Sequence, residues 1–365
     1  MRYFLEWRST AWVIIRGEMA IHSELPVLNS PAHDSHEPAP ALAAKDRPLA
    51  RPMSPSKAAQ VLASKKPEWL KIRPPGGENY TRIKGMLRER NLHTVCEEAH
   101  CPNVSECWAS GTATFMLGSD ICTRACRFCA IKTSRTPPPL DPQEPLHIAE
   151  SVVALGLKYV VLTAVDRDDL EDGGANHFAA TIREIKRLSA GQKTPVLVEA
   201  LVPDWRGDRR GVEILVDSGV DVYAHNIETV KSLQYRVRDP RAGYEQSLQT
   251  LKYAKDYAAS RGLKVATKSA VMLGLGETDE ELDEAFTDLR SYGVDVLTLG
   301  QYLRPSAQHL PVERYVSPQE FEDLGKLAEK KGFMYVASGP MVRSSYRAAE
   351  LFLKGKIYES RGIQE

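Results

Sequence analysis

Cys96, Cys101, Cys107, Cys122, Cys126 and Cys129 are all the cysteines of the chain, and they fall within one short stretch. They form two groups of three, spaced C-x4-C-x5-C in the first and C-x3-C-x2-C in the second. The second group sits in Ile121-Cys122-Thr123-Arg124-Ala125-Cys126-Arg127-Phe128-Cys129. Structural zinc wants four protein ligands, and so does a cluster held wholly by thiolates. Two groups of three therefore suggest two iron–sulfur clusters, each with one iron left for something else. Six cysteines also make three disulfides, but disulfide frameworks occur mostly in small secreted domains. Here they would staple one segment of a 365-residue chain and leave its core untouched. Cluster ligation is carried forward ahead of structural zinc and disulfides.

Composition narrows the partners. Lys+Arg and Asp+Glu stand at 48 each, so net charge gives no sign of a nucleic-acid partner. No apolar run approaches the ~20 residues of a spanning helix; the longest near the start is Ala11–Ile15. A soluble protein with no membrane partner is expected. Thiols destined for iron need a reducing compartment, which points to the cytoplasm, with a mitochondrial matrix as second choice.

The elements that must position the cysteines follow from hydrophobic patterning. Strands are expected at Thr112–Leu117, Tyr159–Ala164, Val196–Leu201, Val220–Ala224, Val265–Leu273 and Val296–Tyr302. Helices are expected at His147–Leu157, Asn176–Leu188, Val212–Ser218, Tyr244–Ser260 and Asp279–Tyr292. In Tyr244–Ser260, Leu248, Leu251, Ala254 and Ala258 recur at helical spacing and form a buried face. The alternation implies an α/β fold with a parallel sheet, most simply a partial (β/α)6 TIM-type barrel. N-terminal and C-terminal extensions would cover its mouth. Barrel chemistry sits at the carboxyl ends of the strands, and the second triad follows the first strand directly.

Four regions result: a disordered extension at 1–65, a first-triad segment at 66–111, the barrel at 112–310 and a C-terminal cap at 311–365. Leu25 to Pro55 is rich in Pro, Ala and His with little periodicity. Arg2, Arg8 and Arg16 resemble a transit peptide, but Glu6 and Glu18 count against it, so a plain tail or a start at Met19 is preferred. Asn79 to Asn91 is helical in composition, and His100 reads as a solvated loop residue. In the cap, Ser317-Pro318-Gln319-Glu320 starts a helix, Phe333–Ala337 is one more strand, and Tyr346–Lys354 is helical.

Cys122, Cys126 and Cys129, with Phe128 before the last cysteine, resemble the radical S-adenosylmethionine superfamily. From about Trp69 onward the chain resembles the lipoyl synthase family of that superfamily. The residues carrying this are Val95-Cys96-Glu97-Glu98-Ala99-His100-Cys101-Pro102-Asn103, Val165-Asp166-Arg167-Asp168-Asp169-Leu170, His225-Asn226-Ile227-Glu228, Gly274-Leu275-Gly276-Glu277-Thr278, Gly300-Gln301-Tyr302 and Arg343-Ser344-Ser345-Tyr346. The resemblance implies a sulfurtransferase that inserts sulfur at C6 and C8 of an octanoyl chain on a lysine of a lipoyl carrier domain. These carbons are unactivated, so a 5′-deoxyadenosyl radical from S-adenosylmethionine removes a hydrogen from each. The implied cofactors are two 4Fe-4S clusters. One, on Cys122, Cys126 and Cys129, binds S-adenosylmethionine; the other, on Cys96, Cys101, Cys107 and a serine, gives up its sulfide. Alternate side chains of an extended segment point opposite ways, so one of Ser344 and Ser345 is the ligand, with Ser345 preferred and the other left to cap a helix.

Other positions follow from strand ends. The superfamily often carries Gly-Gly-Glu after its second strand, whereas this chain reads Thr163-Ala164-Val165-Asp166, which leaves Thr163 and Asp166 as candidates for the methionine amine. Glu199 and Asn226, at the ends of the third and fourth strands, are candidates for ribose or carboxylate. Gly274 and Gly276 permit close backbone approach or make a plain turn, Gly173-Gly174 is a turn, and Asp166 to Asp172 is a solvated acidic loop with one buried pair. Arg304, Arg343 and Arg347 would meet an acidic carrier domain. Implied partners are the octanoylated carrier domains of 2-oxoacid dehydrogenase acyltransferase subunits and of the glycine cleavage H protein, an electron donor such as ferredoxin or flavodoxin, and an iron–sulfur carrier for cluster repair. The alternatives are another two-cluster sulfur inserter, methylthiotransferase-like or biotin-synthase-like, and a two-cluster electron-transfer protein. The first triad and the serine motif count against the former, and the open iron of the second triad against the latter.

Overall fold

Short apolar runs separated by amphipathic helices build a parallel sheet in the computed structural model of the chain, which describes residues 66–71, 76–90, 92–98, 101, 103–109, 114–345 and 355–359. The extension at 1–65, His100, Arg347 and the helix expected at Tyr346–Lys354 lie outside these residues. All described residues fall in one compact unit, Pro48–Glu365.

The described strands are β1 (His93–Thr94), β2 (Thr114–Leu117), β3 (Ile121–Cys122), β4 (Lys132–Thr133), β5 (Tyr159–Ala164), β6 (Leu197–Leu201), β7 (Val222–Ala224), β8 (Ala266–Leu273), β9 (Val296–Gln301) and β10 (Tyr335–Gly339). β3 and β4 form a small parallel ribbon; the others make one sheet in the order β1-β2-β5-β6-β7-β8-β9-β10. β1 runs antiparallel to β2, with His93 opposite Met116, and every other neighbouring pair is parallel. The six expected strands appear as β2 and β5 to β9 in sequential order, the arrangement of a partial TIM-type barrel. β10 does more than decorate a cap: it extends the parallel sheet beside β9, Tyr335 opposite Val296.

The connecting helices are Glu144–Ala154, Ala175–Ser189, Arg209–Val216, Tyr244–Ser260, Asp279–Ser291 and Pro318–Lys330. Tyr244–Ser260 has the expected limits and buries Leu248, Leu251, Ala254 and Ala258. Arg209–Val216 starts earlier than expected because the Asp208 side chain accepts the Arg210 N–H at 2.9 Å. Pro318–Lys330 carries the expected capping box between Ser317 and Glu320. Among the described residues no helix is long and apolar enough to cross a membrane.

Strand alternation divides the apolar residues into two layers. On β5, Val160 and Leu162 join the large core beneath the helices. Tyr159 and Val161 face the other way and cluster with Leu197, Val222, Val296 and Tyr358. Each fully buried Leu, Val or Phe contributes about 1.5–3 kcal/mol. The two edges of the sheet also meet. Asn103, beyond β1, donates from Nδ2 to the carbonyl of Met341, beyond β10, at 2.7 Å. A linear order whose ends touch through one side chain must curl, and the segment after β1 bridges the gap.

Candidate active site

The second triad occupies a loop at the carboxyl end of β2. Its base is closed by the β3–β4 ribbon, where the Ser134 N–H donates to the Cys122 carbonyl at 3.0 Å. The loop is then tied to segments beyond three other strands. Beyond β5, the Asp166 carbonyl accepts from both the N–H and the Oγ1 of Thr123 at 2.9 Å. Beyond β7, the Arg127 N–H donates to the Val237 carbonyl and the Ala125 N–H to Asp239 Oδ2, each at 2.9 Å. Beyond β9, His309 Nε2 lies 2.9 Å from the Cys129 carbonyl, and Leu310 N–H donates to the Arg127 carbonyl at 3.2 Å.

Arg124 is the anchor of this loop. Its side chain is 3% exposed, so its charge needs compensation nearby. Nε and Nη2 donate to the two oxygens of Asp168, each at 2.9 Å, and the terminal nitrogens reach Asp204 at 2.8 and 2.9 Å. Nη1 also lies 3.3 Å from Asp166 Oδ1, without hydrogen bonding to it. The acidic run is thus largely engaged. Asp166 and Asp168 face Arg124, Asp169 pairs with Arg167, and Asp172 accepts the N–H groups of Gly174 and Asn176. The expectation of a solvated loop with one buried pair is corrected accordingly. Gly173 and Gly174 make the expected turn, with φ of 60° and 88°.

None of the six cysteines is in a disulfide. Burial pushes the Cys122 and Cys126 thiols up to about 12 and Cys129 to about 11. Ligating a metal centre would displace the protons that burial holds on these thiols, because only the thiolate binds. N–H groups already point at two of the sulfurs, from Arg124 to Cys122 at 3.4 Å and from Asp239 to Cys126 at 3.3 Å. This donor set fits an iron–sulfur cluster. Among the described residues no three His, Cys, Asp or Glu side chains converge on a single ion.

Charge is unevenly distributed around the loop. Burial raises Asp166 to about 6, Asp204 and Asp168 add repulsion, and Arg124 opposes them. Asp204 feels the same burial, but Arg124 pulls it down to about 2. Asp166 Oδ2 lies 3.8 Å from Cys122 Sγ, and Oδ1 is a buried acceptor without a hydrogen bond. Glu228 holds φ at +65° just past β7, and burial raises its carboxyl.

The first triad lies at the β1 edge. Cys96 is in the short helix Val95–Glu98, Cys101 donates its N–H to the Cys96 carbonyl at 3.1 Å, and Cys107 follows in Val104–Ala109. Burial pushes Cys96 up to about 11 and raises Cys101, while the Asn103 N–H and the Arg343 guanidinium lower Cys101. The Arg343-Ser344-Ser345 segment is held here by two close approaches. One is the Asn103–Met341 hydrogen bond; the other is the passage of the Val342 carbonyl over Gly300, where a Cβ would stand 2.1 Å from it. Ser344 and Ser345 are half-buried in the turn that follows Arg343. Buried donors fit an anionic cluster at this triad as well. The Trp108 indole N–H and Arg343 Nη2 are both buried without a hydrogen-bond partner.

The remaining expected residues divide by position. Thr163 is buried near the end of β5, and Asn226, just past β7, donates from Nδ2 to Glu228 Oε1 at 3.1 Å. Phe128 packs in an apolar patch with Met272, Tyr302 and Leu310. Glu199 is at mid-strand in β6 rather than at its end, and both its oxygens are engaged, by Lys268 Nζ at 2.7 and 2.8 Å and Tyr159 OH at 2.7 Å. Gly274 packs on protein rather than leaving room for a ligand, since a Cβ would fall 2.3 Å from Gln301 Nε2. Arg304 braces its own loop through the carbonyls of His309 and Ala307, and the charge of Arg343 acts on Cys101 of the first triad. The anchoring roles of Arg124, Asp204 and Asp239 went unread, although Arg124 stands between the cysteines of the second triad.

Comparison with known proteins identifies the family. The Radical SAM superfamily matches residues 116–289, and the N-terminal domain of lipoyl synthase of the Radical SAM family matches residues 53–101. Lipoyl synthase 2, chloroplastic, of Populus trichocarpa is 56% identical over 82% of this chain and 75% of its own length. The mitochondrial lipoyl synthase of Danio rerio is 55% identical over 82% of this chain and 74% of its own. The solved structure of HydG, a maturase of the [FeFe]-hydrogenase, aligns with a TM-score of 0.49 at 15% identity over 78% of this chain and 63% of that one. The cytoplasmic expectation is overturned, because these relatives are chloroplastic or mitochondrial by name. With a triad loop clamped at the barrel mouth and relatives this similar over most of their length, the chain belongs to the lipoyl synthase family, sulfur-inserting enzymes of the radical S-adenosylmethionine superfamily.

Proposed function

We propose that the chain inserts two sulfur atoms, at C6 and C8, into the octanoyl group of lipoyl carrier domains, using one 4Fe-4S cluster on Cys122, Cys126 and Cys129 and another on Cys96, Cys101, Cys107 and Ser345. The observation that carries this reading is the seating of Arg343-Ser344-Ser345 against the first triad, through Asn103 to Met341 at 2.7 Å and Arg343 beside Cys101. That contact supports a weak serine oxygen, supplied from the opposite edge of the sheet, as the fourth ligand beside the three thiolates. When bound, the second-triad cluster supplies the electron that cleaves S-adenosylmethionine, and the first-triad cluster supplies sulfide.

The protein's own groups bind and orient the cosubstrate. Asp166 Oδ1, a buried acceptor with no hydrogen bond, takes the methionine ammonium, with Thr163 beside it on β5. Asn226 bonds a ribose hydroxyl, and Phe128 with its apolar neighbours walls the site. Glu199 is left out of this set because its carboxylate is already paired. Ferredoxin or flavodoxin delivers electrons, and an iron–sulfur carrier rebuilds the consumed cluster. The functional division runs 66–111, 112–310 and 311–365, with the family match reaching back to residue 53.

The test is mass spectrometry of an octanoylated carrier peptide incubated with reduced protein and S-adenosylmethionine. Incorporation of two sulfurs is expected, from protein carrying about eight irons per chain, as two cubane clusters imply. Stoichiometric zinc without iron would end the reading. Cys126→Ala should abolish 5′-deoxyadenosine formation, whereas Cys101→Ala should retain it and transfer no sulfur. If both variants still make lipoyl groups, the two roles are wrongly assigned.

A further inference from the structure

We propose that Trp108 and Arg343 are positioning residues for the first-triad cluster, aiming N–H groups at the sulfurs of Cys96 and Cys101 and making that cluster easier to reduce. The inference rests on the auxiliary-cluster reading above and deepens it. Trp108 follows Cys107 on the helix Val104–Ala109, is 0% exposed and shares one buried core with Cys96. Its ring packs against Tyr80, at a centroid distance of 4.9 Å. Its indole N–H lowers the Cys96 thiol's pKa against the larger effect of burial and is taken up by no oxygen or nitrogen acceptor.

Arg343 comes from the other edge of the sheet. Nη1 is pinned to the carbonyls of its own turn, Val342 at 2.6 Å and Pro340 at 3.4 Å. Nη2 is buried with no hydrogen-bond partner, and its charge acts on Cys101. Buried donors are rarely left unmade, because each forfeits its hydration without return. Two such donors, from chain segments remote in sequence, orphaned beside two thiols of one triad, imply an acceptor larger and more negative than a thiol. Hydrogen bonds to cluster sulfurs stabilise the added electron and raise the reduction potential.

The test uses full-length protein carrying Cys122→Ala, Cys126→Ala and Cys129→Ala, so that only the first triad can hold a cluster. Titration with dithionite, followed by electron paramagnetic resonance, should show that Trp108→Phe and Arg343→Gln each make reduction about tenfold less favourable. That is ~59 mV lower for a one-electron couple. Arg343→Lys, which keeps the charge, should recover part of the shift. Unchanged potentials in variants that keep four irons overturn the inference. Should the variants lose their iron, the parent protein labelled with nitrogen-15 tryptophan decides: hyperfine coupling from the reduced cluster to the indole nitrogen supports it, and its absence overturns it. A background protein that binds no iron at the first triad overturns the auxiliary-cluster reading instead.

Discussion

Asp166 and Asp204 share one guanidinium and titrate in opposite directions, which supports the proposed binding role for Asp166 and a structural one for Asp204. Arg124 gives Asp204 two close contacts and pulls it down to about 2, while Asp166, at 3.3 Å and without a hydrogen bond, stays raised at about 6. A carboxylate beside Cys122 with one oxygen that accepts no hydrogen bond is suited to a cationic ligand. Asp166→Asn should weaken S-adenosylmethionine binding at least tenfold by equilibrium dialysis while leaving the iron content unchanged. Wild-type affinity should fall as pH drops through about 6, where Asp166 gains its proton, and Asp166→Asn should flatten that dependence. For Asp204 the sign concerns stability. Its folded pKa is depressed below the ordinary 3.8, so its contribution is present above that value and lost as pH falls toward about 2. The amount is about 2 kcal/mol, read as the loss of denaturation midpoint between those pH values. Asp166 was legible in the sequence because it stands where a strand ends. Asp204 was not, because its partner Arg124 is remote in the chain and a pairing of that range leaves no local pattern.

The elements that decide the site are short ones. β1 and the β3–β4 ribbon have two residues per strand, too few for any alternation to register, yet β1 fixes the first triad to the barrel edge and the ribbon closes the base of the second-triad loop. The long helices and buried strands were legible because periodicity accumulates over many residues, as in Tyr244–Ser260. The C-terminal segment is positioned by contact rather than by regular structure, through the Val342 carbonyl lying over Gly300 at the end of β9. A Cβ there would stand 2.1 Å from that oxygen, and both groups are backbone, so neither yields cheaply. Gly300→Ala should therefore displace Arg343-Ser344-Ser345 from the first triad. The expected result is retained 5′-deoxyadenosine formation with sulfur incorporation cut at least tenfold; equal loss of both activities would show damage to the barrel instead. The tight passage explains why the Gly-Gln-Tyr run reads as a motif, since its glycine makes room and Gln301 fastens the following loop by accepting from the Val316 N–H at 2.8 Å.

At the scale of the whole molecule, a sheet that is linear in hydrogen-bonding order must curl until its two edges meet, and something inside must set the radius. The barrel interior holds a polar triad beside its apolar cluster. Lys268 on β8 reaches over Ala224 on β7 to Glu199 on β6, and Tyr159 on β5 completes the group. Below it, Tyr358 from residues 355–359 plugs the floor and donates to the Pro195 carbonyl at 3.1 Å. Lys268 and Glu199 are each 1% exposed, so removing one partner strands the other's charge in a dry interior. Lys268→Met should cost about 3–5 kcal/mol, measured as the urea midpoint of the anaerobic holoprotein. Replacing the set together, as Lys268→Met with Glu199→Leu and Tyr159→Phe, removes every orphan and should recover most of that stability, because a buried ion pair repays little more than its own desolvation. If the pair's purpose is to span the barrel and set its curvature, the recovered variant should still separate the two edges at the mouth. It would then keep its fold yet bind S-adenosylmethionine more weakly and transfer sulfur slowly. A triple variant with both full stability and full activity would show that the polar layer is filler, with the curl set by the Asn103–Met341 bridge and the outer helices alone.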